Sequence, residues 1–227
     1  MRNGVVIPLI FGVAGVAVLL GLGKWQLDRL DWKQALLADI AAQIAAEPVA
    51  VPAQAERVRD RYLPVEAAGR IGARALRVLV SRKRVGPGYR LVSAFETQGR
   101  RVLLDRGFIR VAEDIPAPDG AVTVKGNLHW PDDRLSSTPQ NDVAGNMWFA
   151  RDIGQMAEVL GTEPLLIVAR EVSPPEQGVT PLPVDTAGIQ NDHLNYAITW
   201  FSLAVIWAAM TGAFIWRTRR AAKGAGQ

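Results

Sequence analysis

The sequence predicts an α+β membrane protein, with two transmembrane helices flanking a mainly antiparallel β ectodomain that carries a short helix. Three observations lead there. Two runs without a charge, Val5–Gly23 and Tyr196–Trp216, are about 19 and 21 residues long, enough to cross a hydrocarbon core as helices. The stretch between them is large enough to build its own core and breaks into short β-prone runs separated by Gly, Pro and polar turns. The basic excess is local: Arg217, Arg219, Arg220 and Lys223 stand in an acid-free tail, and without them the 26 basic residues come level with the 22 acidic ones. Such a tail marks the cytoplasmic flank of a span and suits anionic lipid; it gives no reason to expect a nucleic-acid partner.

Taken in order, residues 1–4 form a short cytoplasmic N-terminus. The opening Met1-Arg2-Asn3 is too short for a transit peptide, so a bacterial inner-membrane protein is expected. The run 5–23 passes into Lys24-Trp25-Gln26 with no small-residue cleavage site, which reads as an uncleaved anchor rather than a signal peptide. Residues 24–47 read as a juxtamembrane helix rich in alanine, leucine and charge, ended by Pro48. Trp25, Arg29, Trp32 and Leu36 share one of its faces, with Trp25 in the headgroup zone.

Residues 48–190 are the expected periplasmic α+β domain with its linkers. Leu63–Ile71 and Ala75–Arg82 are predicted strands, with a turn at Gly86-Pro87-Gly88. Tyr89–Thr97 and Arg101–Arg110 form a predicted hairpin closed by Gln98-Gly99-Arg100. Ala121–His129 alternates apolar and polar residues with period two. Residues 131–146 read as a loop, Asp152–Leu160 as a helix ended by Gly161, and Pro164–Val172 as the last strand. Residues 173–190, rich in Pro, form a return linker. Strands, one helix and a final strand suggest an antiparallel sheet that can curl into a barrel. Charge is uneven here: 57–90 is basic and 112–192 acidic, which yields either two docking faces of opposite sign or segments that pair with each other.

The second span, 191–216, opens with a polar edge, Asn191-Asp192-His193-Leu194-Asn195; the basic tail 217–227 follows. With both termini cytoplasmic, the middle domain lies outside and His193 stands at the outer mouth of the span. On a helix His193, Tyr196, Trp200 and Trp207 fall near one face. An imidazole followed by an aromatic stripe suits a flat apolar cofactor held by one ligand bond and stacking; it equally suits an interfacial aromatic belt behind a helix-start histidine. Side by side and antiparallel, the spans bring Trp25 to the depth of His193, with Gly12, Gly15, Ala204 and Ala208 permitting close approach.

Chemistry elsewhere is sparse. With no cysteine, thiolate metal sites and disulfides are excluded. No nucleophile–base set, phosphate loop or dinucleotide fingerprint is present, so an enzyme is not expected. The other histidine, His129, stands beside Asp132 and Asp133, either as a metal ligand or as a structural strand-end residue. Arg106-Gly107 inside a strand suggests a bulge or a close backbone approach, or else a buried Asp105–Arg106 network.

Three stretches carry a resemblance: Gly23-Lys24-Trp25-Gln26-Leu27-Asp28-Arg29-Leu30-Asp31-Trp32-Lys33, Val102-Leu103-Leu104-Asp105-Arg106-Gly107-Phe108, and Asn191-Asp192-His193-Leu194-Asn195-Tyr196-Ala197-Ile198-Thr199-Trp200-Phe201. In order, spacing and two-anchor layout the chain resembles the Surfeit locus protein 1 family, assembly factors for haem–copper terminal oxidases. It departs slightly, with Asp105 and Phe108 around Arg-Gly where the family often has Asn and Trp, and Asn191-Asp192 where Asn-Asn is common. The resemblance implies a role in maturing the largest oxidase subunit, as an assembly factor that binds haem a transiently and assists its insertion. Haem a synthase and other assembly factors are implied as further partners. Carried over, His193 is the axial ligand to the haem iron and Trp200 a pocket residue. Tyr196 and Trp25 are expected to contact the cofactor at the same depth, and Lys24 and Arg29 are assigned to the propionates from depth and charge. The other reading is a protein–protein chaperone that steadies the apo-subunit without binding haem.

Overall fold

The structure, a computed structural model, describes residues 3–83 and 85–224. The ends of the expected cytoplasmic flanks, residues 1–2 and 225–227, lie outside the described residues. The element order is α1 (Asn3–Ala45), β1 (Pro64–Arg82), β2 (Gly86–Thr97), β3 (Arg100–Arg110), β4 (Val122–His129), β5 (Met147–Trp148), α2 (Ile153–Leu160), β6 (Leu166–Ser173) and α3 (His193–Gly224). The chain divides into a helical unit, up to Asp39 and from Ala187 on, and a β unit, Ile40–Thr186.

In the helical unit, α1 and α3 are long and apolar enough to cross a membrane, consistent with a membrane protein. Anchor and juxtamembrane segment form one continuous helix, since nothing between Gly23 and Ala45 breaks it. α1 and α3 run antiparallel through small residues. A Cβ on Gly12 would lie 2.2 Å from Thr211, one on Gly15 2.4 Å from Trp207, and one on Gly23 2.7 Å from Phe201. Rising numbers on α1 thus meet falling numbers on α3. Ala197 and Ala204 are buried on the facing side. Large apolar side chains such as Ile7, Phe11, Val18 and Val205 point outward and are exposed. That surface would be unfavourable against water, and a bilayer is the solvent that accepts it.

The β unit is a closed sheet. β2 pairs with β3, β3 with β6, β6 with β4, β4 with β1, and β1 returns to β2. The β3–β6 pair and the short β1–β5 pair are parallel, and the rest antiparallel. β1 achieves the closure by length: residues 64–69 pair with β4, whereas 69–82 pair with β2, with an irregularity between Ile71 and Ala75. The two strands expected at 63–71 and 75–82 are therefore one bent strand. The Gly86-Pro87-Gly88 turn is also corrected. These residues pair with Arg82, Ser81 and Val80 inside β2, because Gly86 at φ 99° carries the chain out of the turn before it. The 98–100 hairpin forms as expected, with Gln98 and Gly99 at φ 52° and 72°, the left-handed pair that matches strand twist. β5 lies just beyond the loop expected at 131–146.

One core cluster joins Val65, Phe95, Val102, Leu104, Leu128 and Ile167. A second joins Leu76, Val92, Leu103, Trp148, Met156 and Leu166. Leu103 and its neighbours Val102 and Leu104 belong to different clusters, the alternation that a pleated strand imposes. β3 reads as a continuous apolar run because both its faces are covered. α2 contributes Met156, Ala157 and Leu160 to the second cluster. It starts where the Asp152 side chain accepts from the Gln155 N–H and stops at Gly161 in the left-handed conformation, as capping chemistry requires. The last turn of α1 belongs to this unit, where Asn127 Nδ2 donates to the carbonyls of Ile44 (3.0 Å) and Tyr62 (2.9 Å).

Arg106 and Gly107 form a bulge in β3. Leu91 opposes Gly107 while Val92 opposes Asp105, so Arg106 is the extra residue. Gly107 sits at φ 124°, and a Cβ there would lie 2.3 Å from the Thr180 carbonyl oxygen. The return linker packs there, Phe108 and Thr180 exchanging both backbone hydrogen bonds (2.7 and 2.9 Å). Asp105 and Arg106 serve separate networks. The fully buried Asp105 carboxylate accepts from Arg90 and, at 3.5 Å, from Arg151. The buried Arg106 guanidinium pairs with Glu176 and donates to the Pro116 carbonyl at 2.8 Å. Burial draws Arg106 down to about 10, which still leaves it charged at neutral pH. Gly107→Ala is expected to destabilise the full-length protein by about 2–4 kcal/mol, since strain and a backbone clash coincide. Gly99→Ala, strained in φ but with open space around it, should cost only about 1–2 kcal/mol. Thermal unfolding of both variants in detergent checks the ranking.

Candidate functional site at the mouth of the helix pair

The polar edge before the second span becomes the first turn of α3. Its first bond runs from the Tyr196 N–H to the Asp192 carbonyl (3.2 Å), and His193 is half-buried at the helix start. Its Nδ1 lies 2.8 Å from Gln26 Oε1 on α1. Gln26 is 8 % exposed, and Ala197, one turn beyond His193 on α3, is 1 % exposed. Gly23, one turn back on α1, has no room for a side chain beside Phe201. Packing without side-chain bulk thus brings the helices close enough for a direct polar contact at their shared end.

The inward stripe of α3 runs through His193, Ala197, Trp200, Phe201 and Ala204. Trp200 is half-buried two turns beyond His193, about 10 Å along the axis. Tyr196 is off the stripe and 55 % exposed. Trp207 lies over Gly15. On α1, Trp25 precedes Gln26 and so projects about 100° away from it; it is 57 % exposed. Lys24 and Asp28 form an exposed ion pair at 2.8 Å. The Arg29 guanidinium stacks over Trp32 at 3.8 Å. The contact that joins the two helices at His193 is thus made by Gln26.

His129 lies in the β unit, stacked on Tyr62 at a centroid distance of 5.6 Å. Burial first, then the charges of Arg151 and Arg61, lower its pKa to about 4. Arg151 meets Asp133 at 2.6 Å, so one of the two acids beside His129 is already engaged. Among the described residues no cluster of three His, Cys, Asp or Glu could hold a metal. A neutral ring among arginines is a poor place for a further cation.

The model of the SURF1 family matches residues 13–205, a span that takes in Gln26, the Arg106-Gly107 bulge and His193. The chain belongs to the SURF1 family. Members of this family are known as cytochrome oxidase assembly factors. Surfeit locus protein 1 of Homo sapiens is 29 % identical over 210 residues, covering 81 % of this chain and 69 % of the relative. The Mus musculus protein is 27 % identical over 212 residues, with 82 % and 69 % covered. A SURF1-like protein of Drosophila melanogaster is 30 % identical over 226 residues, with 88 % and 73 % covered.

Gln26 is the residue that sequence reasoning missed in this family member, although it stands inside the Trp-Gln-x-x-Arg stretch. The signal was present. Gly12, Leu19 and Gln26 are seven residues apart and share a face, so a Gln that continues a small and apolar stripe past the membrane boundary points to the partner helix.

His129 makes stability depend on pH. Its folded pKa of about 4 lies below the usual value near 6.5 for an unfolded chain. Between these values the unfolded state binds more protons, so stability should fall as pH drops from about 6.5 towards 4. His129→Phe keeps a ring against Tyr62 and should remove this component, checked by melting temperature against pH in detergent; an unchanged slope would reject a buried neutral His129.

Proposed function

We propose that this chain binds haem a through His193 and assists its insertion into the largest subunit of a haem–copper oxidase. The observation that carries the reading is an imidazole at the polar mouth of an apolar helix, with one ring nitrogen committed to the protein. Family membership supplies the oxidase; the donor chemistry supplies the ligand. A neutral imidazole is an established axial ligand for haem iron. Haem a is here the cargo, and its apolar tail makes a membrane-level site preferable to water.

The chain's own residues divide the work. His193 offers a ring nitrogen. Tyr196 and Trp25 present exposed aromatic faces for stacking, and Trp200 offers an apolar edge deeper in the span. Lys24 and Arg29 offer cations to the propionates. The Lys24–Asp28 pair is exposed on both sides and so contributes at most about 1 kcal/mol, little enough to yield to another carboxylate. The basic tail supports a topology with both termini in the cytoplasm and the β unit in the periplasm of a bacterial inner membrane. In this reading haem a synthase supplies the cargo, and other assembly factors act beside the chain.

A second reading draws on the same contact. A His–Gln bond between two helices also serves as a structural clasp, which suits a protein–protein chaperone that steadies the apo-subunit without touching haem. His193→Ala separates them. On the haem reading the variant inserts and folds, yet loses the low-spin haem spectrum. Trp200→Ala weakens retention but keeps the ligand signature, and His129→Phe binds near normally. An unchanged spectrum and full haem content in His193→Ala would leave the protein–protein chaperone as the account.

A further inference from the structure

The 2.8 Å contact between His193 Nδ1 and Gln26 Oε1 determines more than the position of the ring. An amide oxygen only accepts, so Nδ1 must carry the hydrogen, and a neutral ring then has its lone pair on Nε2. We propose that Gln26 is the positioning residue of His193: it holds the imidazole in the Nδ1–H tautomer and presents Nε2 to the cargo iron. The proposal rests on the reading of His193 as the ligand.

Three features support it. Gln26 is almost fully buried, so water competes poorly for the bond. The helices are close-packed on both sides of the contact: Gly23 meets Phe201 one turn away and Ala197 is buried one turn beyond His193. The alternative tautomer would place the free lone pair on Nδ1, the nitrogen crowded by its own Cβ and turned towards Gln26. A free imidazole favours that unsuitable tautomer, so the protein must supply the preference. Metal-ligating histidines commonly donate their second N–H to a carboxylate or a carbonyl, which sets orientation and raises ligand basicity. A neutral amide does the first while raising basicity less than a carboxylate would. Weak electron donation suits a site that must give its cargo up.

The proposal is testable before any haem is added. In full-length apo-protein labelled with 15N-histidine, in detergent at a pH where both rings are neutral, NMR has only two histidines to resolve; His129→Phe identifies the other. His193 is expected to show a protonated Nδ1 and a bare Nε2, and Gln26→Leu should shift it towards the free-imidazole tautomer. A bare Nδ1 in the wild type, or the same tautomer in Gln26→Leu, would overturn the proposal. With haem a added, Gln26→Leu should bind about 10–100-fold more weakly. Gln26→Glu, which keeps the acceptor, should restore binding with a lower reduction potential. Wild-type affinity in Gln26→Leu, alongside lost binding in His193→Ala, would overturn the role of Gln26 alone. An unchanged haem spectrum in His193→Ala would overturn the ligand reading, and with it the aiming of Nε2, even where the tautomer result holds.

Discussion

Everything at the candidate site depends on how closely α1 and α3 approach. Glycines at 12, 15 and 23 leave no space for even a methyl group beside Thr211, Trp207 and Phe201. In lipid, where apolar side chains gain little from leaving their solvent, such backbone proximity is the main source of helix association. It also removes the distance that would otherwise separate Gln26 from His193. A larger residue at Gly23 would displace the Phe201 ring one turn from the hydrogen bond and loosen the packing that holds Gln26 against His193. The site is therefore a consequence of small residues that carry no chemistry themselves.

The β unit follows a different logic. Its sheet closes because β1 is long enough to pair with β4 through one half and β2 through the other. The Arg106–Gly107 bulge anchors the return linker to β3 through Thr180. Buried ion pairs flank the bulge on adjacent residues, Asp105 with Arg90 and Arg151, Arg106 with Glu176. Such pairs add little net stability, yet removing one partner leaves an unpaired buried charge and costs several kcal/mol, so they favour one arrangement over others. Ion pairs, buried and exposed, also bear on the uneven charge of the chain. Arg90 and Arg77, from the basic segment, meet Asp105 and Asp114, so part of that excess is spent within the fold.

Much of this was legible in the sequence because the signals were local. Uncharged runs of membrane length, the Gln98-Gly99 turn, the Asp152 and Gly161 caps and the period of 122–129 each follow from residues close together in the chain. The failures were non-local. The break between two expected strands at 71–75 is a bend in one strand, visible only once β2 and β4 claim its two halves. Gly86-Pro87-Gly88 has turn composition but sits in the ladder, because the preceding residues already reverse the chain. At the site, His193 stood out as a rare residue in a polar edge. Helical spacing groups Tyr196 with it and depth groups Trp25, but neither lies on the inward stripe. Gln26 does not stand out in that way, because a glutamine past the end of a span looks like ordinary interfacial polarity until the facing helix is in place.

The central claim is that the mouth of the helix pair holds haem a through one histidine. The most direct measurement is the optical spectrum of the wild-type, full-length protein purified in detergent from cells that make haem a. The account predicts about one low-spin haem a per chain, with the bands of an imidazole-ligated iron. A folded protein that purifies free of haem, and takes up none when haem a is added, would contradict it.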